Sequence, residues 1–139
     1  MRKLPLAFFS AAVLFVMGGM IWGAIMGASE NFALAPAHAH LNLVGWTTMA
    51  LMGTFYALSG KGGRLGWINF GLSAAAVVVM IPYLALYLNG DKPAHNGVIV
   101  GTVLAILGMA TFLFNVLTTW SATVAETAAP GKASLKKAA

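Results

Sequence analysis

The sequence contains no cysteine and very few charged residues. Without cysteine the chain can form no disulfide, thiolate metal site, iron–sulfur cluster or covalently attached c-type haem. Asp, Glu, Lys and Arg together make up 8% of its 139 residues, whereas 60% are hydrophobic. The mean hydropathy is +0.85. This balance excludes a soluble domain of this size and indicates an integral membrane protein.

Acidic residues are especially scarce, with three in the whole chain. We find no carboxylate pair, Ser-His-Asp arrangement, phosphate-binding loop or intramembrane chain of acids, which argues against a hydrolase or an ion pump acting alone. The net charge of +5 is spread over short loops and tails beside apolar segments. We therefore attribute it to membrane topology rather than to nucleic-acid binding.

Four apolar runs predict four membrane-spanning helices, at about residues 5–27, 37–58, 65–88 and 97–120. Each run is long enough to cross ~30 Å of hydrocarbon. The first is interpreted as a retained helix, because its apolar core is too long for a cleaved signal peptide. The predicted fold is an all-α, integral membrane four-helix bundle over residues 1–120. Residues 121–139 are predicted to form a cytoplasmic tail without regular structure.

The basic residues predict how the chain lies in the membrane. If four spans alternate, seven of the eight lie on one side, and Lys92 alone lies on the other. The seven are Arg2, Lys3, Lys61, Arg64, Lys132, Lys136 and Lys137. Positive residues accumulate on the cytoplasmic side, so both termini are predicted to be cytoplasmic. The chain is expected to lie in a bacterial inner membrane and to cross it several times.

Glycines recur at four-residue spacing in two of the predicted helices. Gly19, Gly23 and Gly27 form one series, and Gly97 and Gly101, with Gly108 further on, form another. Small residues at this spacing allow helix backbones to approach closely in membranes. We expect these faces to contact neighbouring helices.

The three histidines are the main candidate functional side chains of the chain. His38 and His40 begin the second predicted helix and His95 begins the fourth, so all three are expected at the same outer end of the bundle. Neutral imidazole is a common metal ligand and the usual axial ligand of haem. Asn42, Asn96 and Glu30 are candidate hydrogen-bond partners for the rings.

The spacing of His38 and His40 limits what they can bind together. On a regular helix, residues two apart point about 200° away from each other. An irregular first turn would pool both rings with His95 around copper or zinc. Alternatively, one histidine alone is a ligand, or each serves a different cofactor or a neighbouring subunit. Gly45, one turn below, is expected to leave space for a flat macrocycle.

Residues 38–58 resemble a known family. The run His40-Leu-Asn42-Leu-Val-Gly45-Trp46, continued to Leu58, resembles helix two of subunit I of the haem–copper oxidases. It is most similar to the nitric-oxide-reductase and C-type oxidase branch. The resemblance implies that His40 is an axial ligand of haem b near the outer side. The other histidines of the family's oxygen- or nitric-oxide-reducing centre are absent, so that activity is not implied.

These observations lead to one expected function and two alternatives. We expect a small membrane protein that binds haem b through His40, near the periplasmic face, for electron transfer or for binding NO or O₂. His38, His95 or a histidine from another copy would supply a second ligand. A homo-oligomer or a larger membrane complex, with a redox partner, is expected. The alternatives are a copper or zinc site formed by His38, His40 and His95, and an accessory subunit without a cofactor.

Overall fold

The computed structural model describes residues 3–127 of the chain, with side chains for residues 3–122. This part contains five α-helices: α1 (Lys3–Ser29), α2 (Ala35–His40), α3 (Met49–Ser59), α4 (Gly63–Leu88) and α5 (His95–Thr127). A π-helix (Leu41–Thr48) joins α2 directly to α3, and a short 3-10 helix (Lys92–Ala94) leads into α5. No strand occurs between residues 3 and 127, and the prediction of an all-α chain is confirmed.

Three of the helices are long and apolar enough to cross a membrane. They are Lys3–Ser29, Gly63–Leu88 and Lys92–Ala122, which suits a multi-pass membrane protein. The predicted second span is helical from Ala35 to Ser59 but is divided by the π-helix. Helix α5 continues to Thr127 instead of ending at residue 120, and residues 128–139 of the predicted tail lie outside the described part.

Helix α1 packs antiparallel against the continuous run formed by α2, the π-helix and α3. Near one end, a Cβ on Gly23 would lie 2.9 Å from Cε1 of His38. Near the other, a Cβ on Gly53 would lie 3.0 Å from Cβ of Phe8. The absence of side chains at these glycines therefore allows the two helices to approach closely.

Helices α4 and α5 form a second antiparallel pair, again through glycine. Gly97 packs on the ring of Tyr83, and a Cβ on Gly101 would lie 2.7 Å from Cα of Met80. A Cβ on Gly108 would lie 2.8 Å from the hydroxyl of Ser73. The predicted small face of the last helix is thus confirmed. In the first helix Gly19 and Gly23 are also contact positions, whereas Gly27 faces open space.

A buried polar network joins the two pairs of helices. The Tyr56 hydroxyl of α3 donates to Oδ1 of Asn69 in α4, at 3.1 Å. Asn69 Nδ2 in turn donates to the backbone carbonyl of Gly108 in α5, at 2.7 Å. Both side chains are buried in the bundle. Polar groups in an apolar interior must be paired, so this network specifies how three helices meet.

Candidate histidine site

The first turn of the histidine segment is a regular α-helix. Pro36 lies in this turn, where its missing N–H leaves no intrahelical bond unmade. The α-helical winding continues to His40, and the π-helix begins at the next residue. His38 and His40 therefore lie on different faces of the helix, as their spacing predicts. The irregular turn that would bring both rings to one metal is absent from α2.

His40 is exposed, and one of its ring nitrogens is already engaged. Nδ1 lies 2.7 Å from the backbone carbonyl oxygen of Pro36, four residues earlier. A carbonyl only accepts, so Nδ1 carries the hydrogen and Nε2 has a free lone pair. This is the arrangement in which histidines bind metals through Nε2, because the carbonyl holds both the tautomer and the ring orientation.

His38 points inward instead, and is half-buried against α1. Its ring lies against Gly23 and meets the ring of Trp22 edge-on, with centroids 6.5 Å apart. Nδ2 of Asn42 donates to the His38 backbone carbonyl at 3.0 Å and lies 3.4 and 3.2 Å from the two ring nitrogens. The lone pairs of the two ring nitrogens diverge in the ring plane, so one amide nitrogen cannot donate along both of them. The main hydrogen bond of the Asn42 amide is therefore the one to the His38 carbonyl oxygen.

The space beside the histidines is filled on the inner face. The Asn42 amide packs onto Gly19 of α1, and Phe15 packs onto Gly45, where a Cβ would lie 3.0 Å from Cβ of Phe15. The expectation that Gly45 leaves space for a flat macrocycle is therefore wrong. The missing side chain admits an aromatic residue of α1, since close-packed interiors fill such gaps.

His95 lies at the start of α5 and is exposed. Its ring centroid is 5.3 Å from that of Tyr87, with the planes tilted by 42°. Within residues 3–122, whose side chains are described, no group of three or more His, Cys, Asp or Glu side chains is placed to hold a metal. The three-histidine copper or zinc site thus gains no support from the described chain.

Of the three predicted partners of the rings, Asn42 alone lies within hydrogen-bonding distance of a histidine ring in the described chain. Glu30 is exposed and adopts a left-handed backbone with φ of 52°. Asn96 is also exposed, beside a surface cleft that includes Tyr83 and Pro93. Their predicted roles beside the histidines stay predictions.

The π-helix that follows His40 is a feature that the sequence analysis missed. Within it the hydroxyls of Thr47 and Thr48 donate to carbonyls five residues back, at 3.4 and 2.9 Å. In α3 the Thr54 hydroxyl donates four residues back, as in an ordinary α-helix. Short π-helical segments occur frequently at functional sites. No residue pattern in this segment distinguishes π from α winding in advance.

No protein-family model, curated protein or solved structure matches the chain. The resemblance of residues 38–58 to the haem–copper oxidases therefore depends on the motif alone.

Proposed function

We propose that this chain is a bacterial inner-membrane protein that binds haem b through Nε2 of His40. One observation carries the proposal: Nδ1 of His40 lies 2.7 Å from the Pro36 carbonyl oxygen. That hydrogen bond orients the ring and leaves Nε2 free on an exposed face. A histidine held in this way has the tautomer and orientation that an axial haem ligand needs.

The surface beside His40 suits an apolar ligand. Leu43, three residues further along the helix, is 62% exposed, and Leu51 in α3 is 66% exposed. The opposite, inner side is closed because Phe15 packs onto Gly45. The residues present therefore fit a haem held at the outer surface of the chain rather than inside its own bundle.

We further propose that a second copy of the chain completes the site. His38 packs onto α1, on a different face of its helix from His40, and the His95 ring packs beside Tyr87. A homo-oligomer in which two copies each contribute His40 would supply both axial ligands. A haem held by two histidines would supply one-electron transfer to a redox partner, whereas a haem held by one histidine would be able to bind NO or O₂.

The proposed topology has four spans and cytoplasmic termini. Its support is the antiparallel packing of residues 35–59 on α1, together with the seven-to-one distribution of Lys and Arg between the two sides. In this topology His40 lies near the periplasmic face of the bilayer.

The test is a pair of visible spectra, oxidised and dithionite-reduced, of the detergent-purified protein expressed with added haem. We expect sharp reduced α and Soret bands in the wild type, and at least a tenfold lower haem content in His40→Ala. His38→Ala and His95→Ala are the matched controls and should keep their haem. Each variant should elute in size-exclusion chromatography as a sharp peak without aggregate, which shows that it is folded.

Two further measurements on the same samples decide whether two copies share the haem and whether either alternative function applies. If two copies share the haem, the mass in mild detergent is at least that of a dimer, and carbon monoxide leaves the reduced spectrum unchanged. A monomer with a full haem load would contradict the shared site. A colourless protein with stoichiometric copper or zinc would favour the metal-binding alternative. A protein both colourless and metal-free would favour the accessory subunit.

A further inference from the structure

A second candidate site lies at the end of the bundle far from the histidines. There a cavity of about 440 Å³ is lined by Lys3 of α1, Lys61 of the turn between α3 and α4, and Arg64 and Trp67 of α4. It lies about 30 Å along α1 from the histidine contact at Gly23, given the 1.5 Å rise per residue. Its volume is in the range of small-molecule sites.

Packing of Leu4 brings the three cations together. Leu4 is buried in a notch between Gly62 and Gly66. A Cβ on Gly62 would lie 2.7 Å from Cδ2 of Leu4, and its φ of 143° is a conformation that other residues rarely adopt. The notch fixes the first turn of α1, with Lys3, against the turn that carries Lys61. The cavity is thus built by tertiary packing.

The positive charges at this cavity have no described counter-charge. Of the three acidic residues, Glu30 and Asp91 lie in the turns at the other end of the helices, and the side chain of Glu126 lies outside the described part. Among the side chains of residues 3–122, none forms an ion pair with Lys3, Lys61 or Arg64. Like charges around one cavity repel each other, and a bound anion removes that repulsion. Lys and Arg together favour phosphate, which accepts several charge-assisted hydrogen bonds.

We propose that this cavity binds a phosphate anion, supplied by the headgroup of an anionic phospholipid or by free phosphate. Trp67 is 47% exposed beside the cations, and tryptophan is enriched at the level of lipid headgroups. Basic pockets between membrane helices are suited to anionic headgroups. The site depends on the membrane setting of the chain and is independent of the haem.

The experiment is native mass spectrometry of the full chain in detergent, titrated with phosphatidylglycerol or with phosphatidylcholine of the same acyl chains. The wild type should retain phosphatidylglycerol preferentially. Each neutralised cation should weaken this binding about fivefold. Lys61→Gln is therefore expected to lose about fivefold, and the double variant Lys61→Gln, Arg64→Gln about 25-fold. Lys92→Gln removes one charge at the other end and should bind like the wild type.

Further measurements distinguish a lipid headgroup from free phosphate as the ligand, and control for folding of the variants. Displacement of the lipid by millimolar inorganic phosphate would identify free phosphate as a ligand, and resistance to displacement would identify the lipid headgroup. The charge-conserving variant Lys61→Arg, Arg64→Lys should retain binding. Should the double glutamine variant not fold, 1 M salt should weaken phosphatidylglycerol binding to the wild type by screening.

Two outcomes would overturn the proposal. One is equal retention of the anionic and the zwitterionic lipid by the wild type, with no binding of inorganic phosphate. The other is unchanged phosphatidylglycerol binding in the folded double glutamine variant. The visible spectrum of that variant should equal the wild-type spectrum whatever its lipid binding, so failure of this site and failure of the haem site are distinguished.

Discussion

At the scale of single residues, missing Cβ atoms decide how closely the helices approach. The clearest case is Gly101, where a Cβ would lie 2.7 Å from Cα and 2.8 Å from the amide nitrogen of Met80. Both are backbone atoms, so no side-chain rotation can relieve the contact. By comparison, the Cβ of a residue at Gly23 would meet the ring of His38, which can shift.

We predict that Gly101→Ala destabilises the protein by about 1–3 kcal/mol, because an extra methyl forces α4 and α5 apart. Gly71→Ala is the matched control: Gly71 is also inside a helix, but a Cβ there would meet nothing within 4 Å. The control should be neutral or more stable by up to about 1 kcal/mol, since alanine favours helix. Thermal unfolding in detergent measures both, and equal stabilities of the two variants would contradict the packing argument.

At the scale of elements, one asparagine side chain connects three helices. Asn69 accepts from the Tyr56 hydroxyl of α3 and donates to the Gly108 carbonyl of α5. Its amide also lies 3.4 Å from the hydroxyl of Ser73 in its own helix. Within the described residues no buried side-chain nitrogen or oxygen is left without a partner. Removal of the amide would therefore leave buried groups of other helices unpaired.

We predict that Asn69→Ala lowers the free energy of unfolding by about 1–3 kcal/mol for each buried group that loses its partner. Tyr56→Phe, which removes the single hydroxyl, should cost less than Asn69→Ala. Thr54→Ala serves as the control, because its exposed hydroxyl donates within its own helix, and it should change stability by less than about 0.5 kcal/mol. Chemical or thermal unfolding of the three variants gives the order. An Asn69→Ala protein as stable as Thr54→Ala would show that the network is not stabilising.

At the scale of the whole molecule, charge and packing point to the same arrangement. The antiparallel pairing of α1 with residues 35–59, and of α4 with α5, takes the chain back and forth between two ends. Lys61, in the turn after α3, and Arg64, in the first turn of α4, lie at the end where α1 begins, and Lys92 lies at the opposite end. The proposed topology assigns these ends to the cytoplasm and the periplasm.

The absence of native cysteine makes this topology directly testable. We expect Lys92→Cys to react with a membrane-impermeant maleimide in intact spheroplasts, because the proposed topology puts it in a periplasmic turn. Lys61→Cys should react only after the membrane is opened. The cysteine-free wild type is the background control. Labelling of Lys61→Cys in intact spheroplasts, with protection of Lys92→Cys, would reverse the proposed orientation.

The sequence by itself determined the all-helical character of this protein and the separation of its paired histidines. Long apolar runs with few charges predict membrane helices wherever they occur, and three such helices are present. The placement of His38 and His40 on different faces follows from helix geometry alone, since α2 is regular through His40. These properties are local, and so they can be derived from neighbouring residues.

Tertiary structure alone decided which face of each helix is inside and what fills it. Lipid is as apolar as the bundle interior, so apolar residues surround these helices and their periodicity does not mark the buried side. For this reason the sequence could not show that Phe15 packs onto Gly45, or that Leu4 brings Lys3 to Lys61.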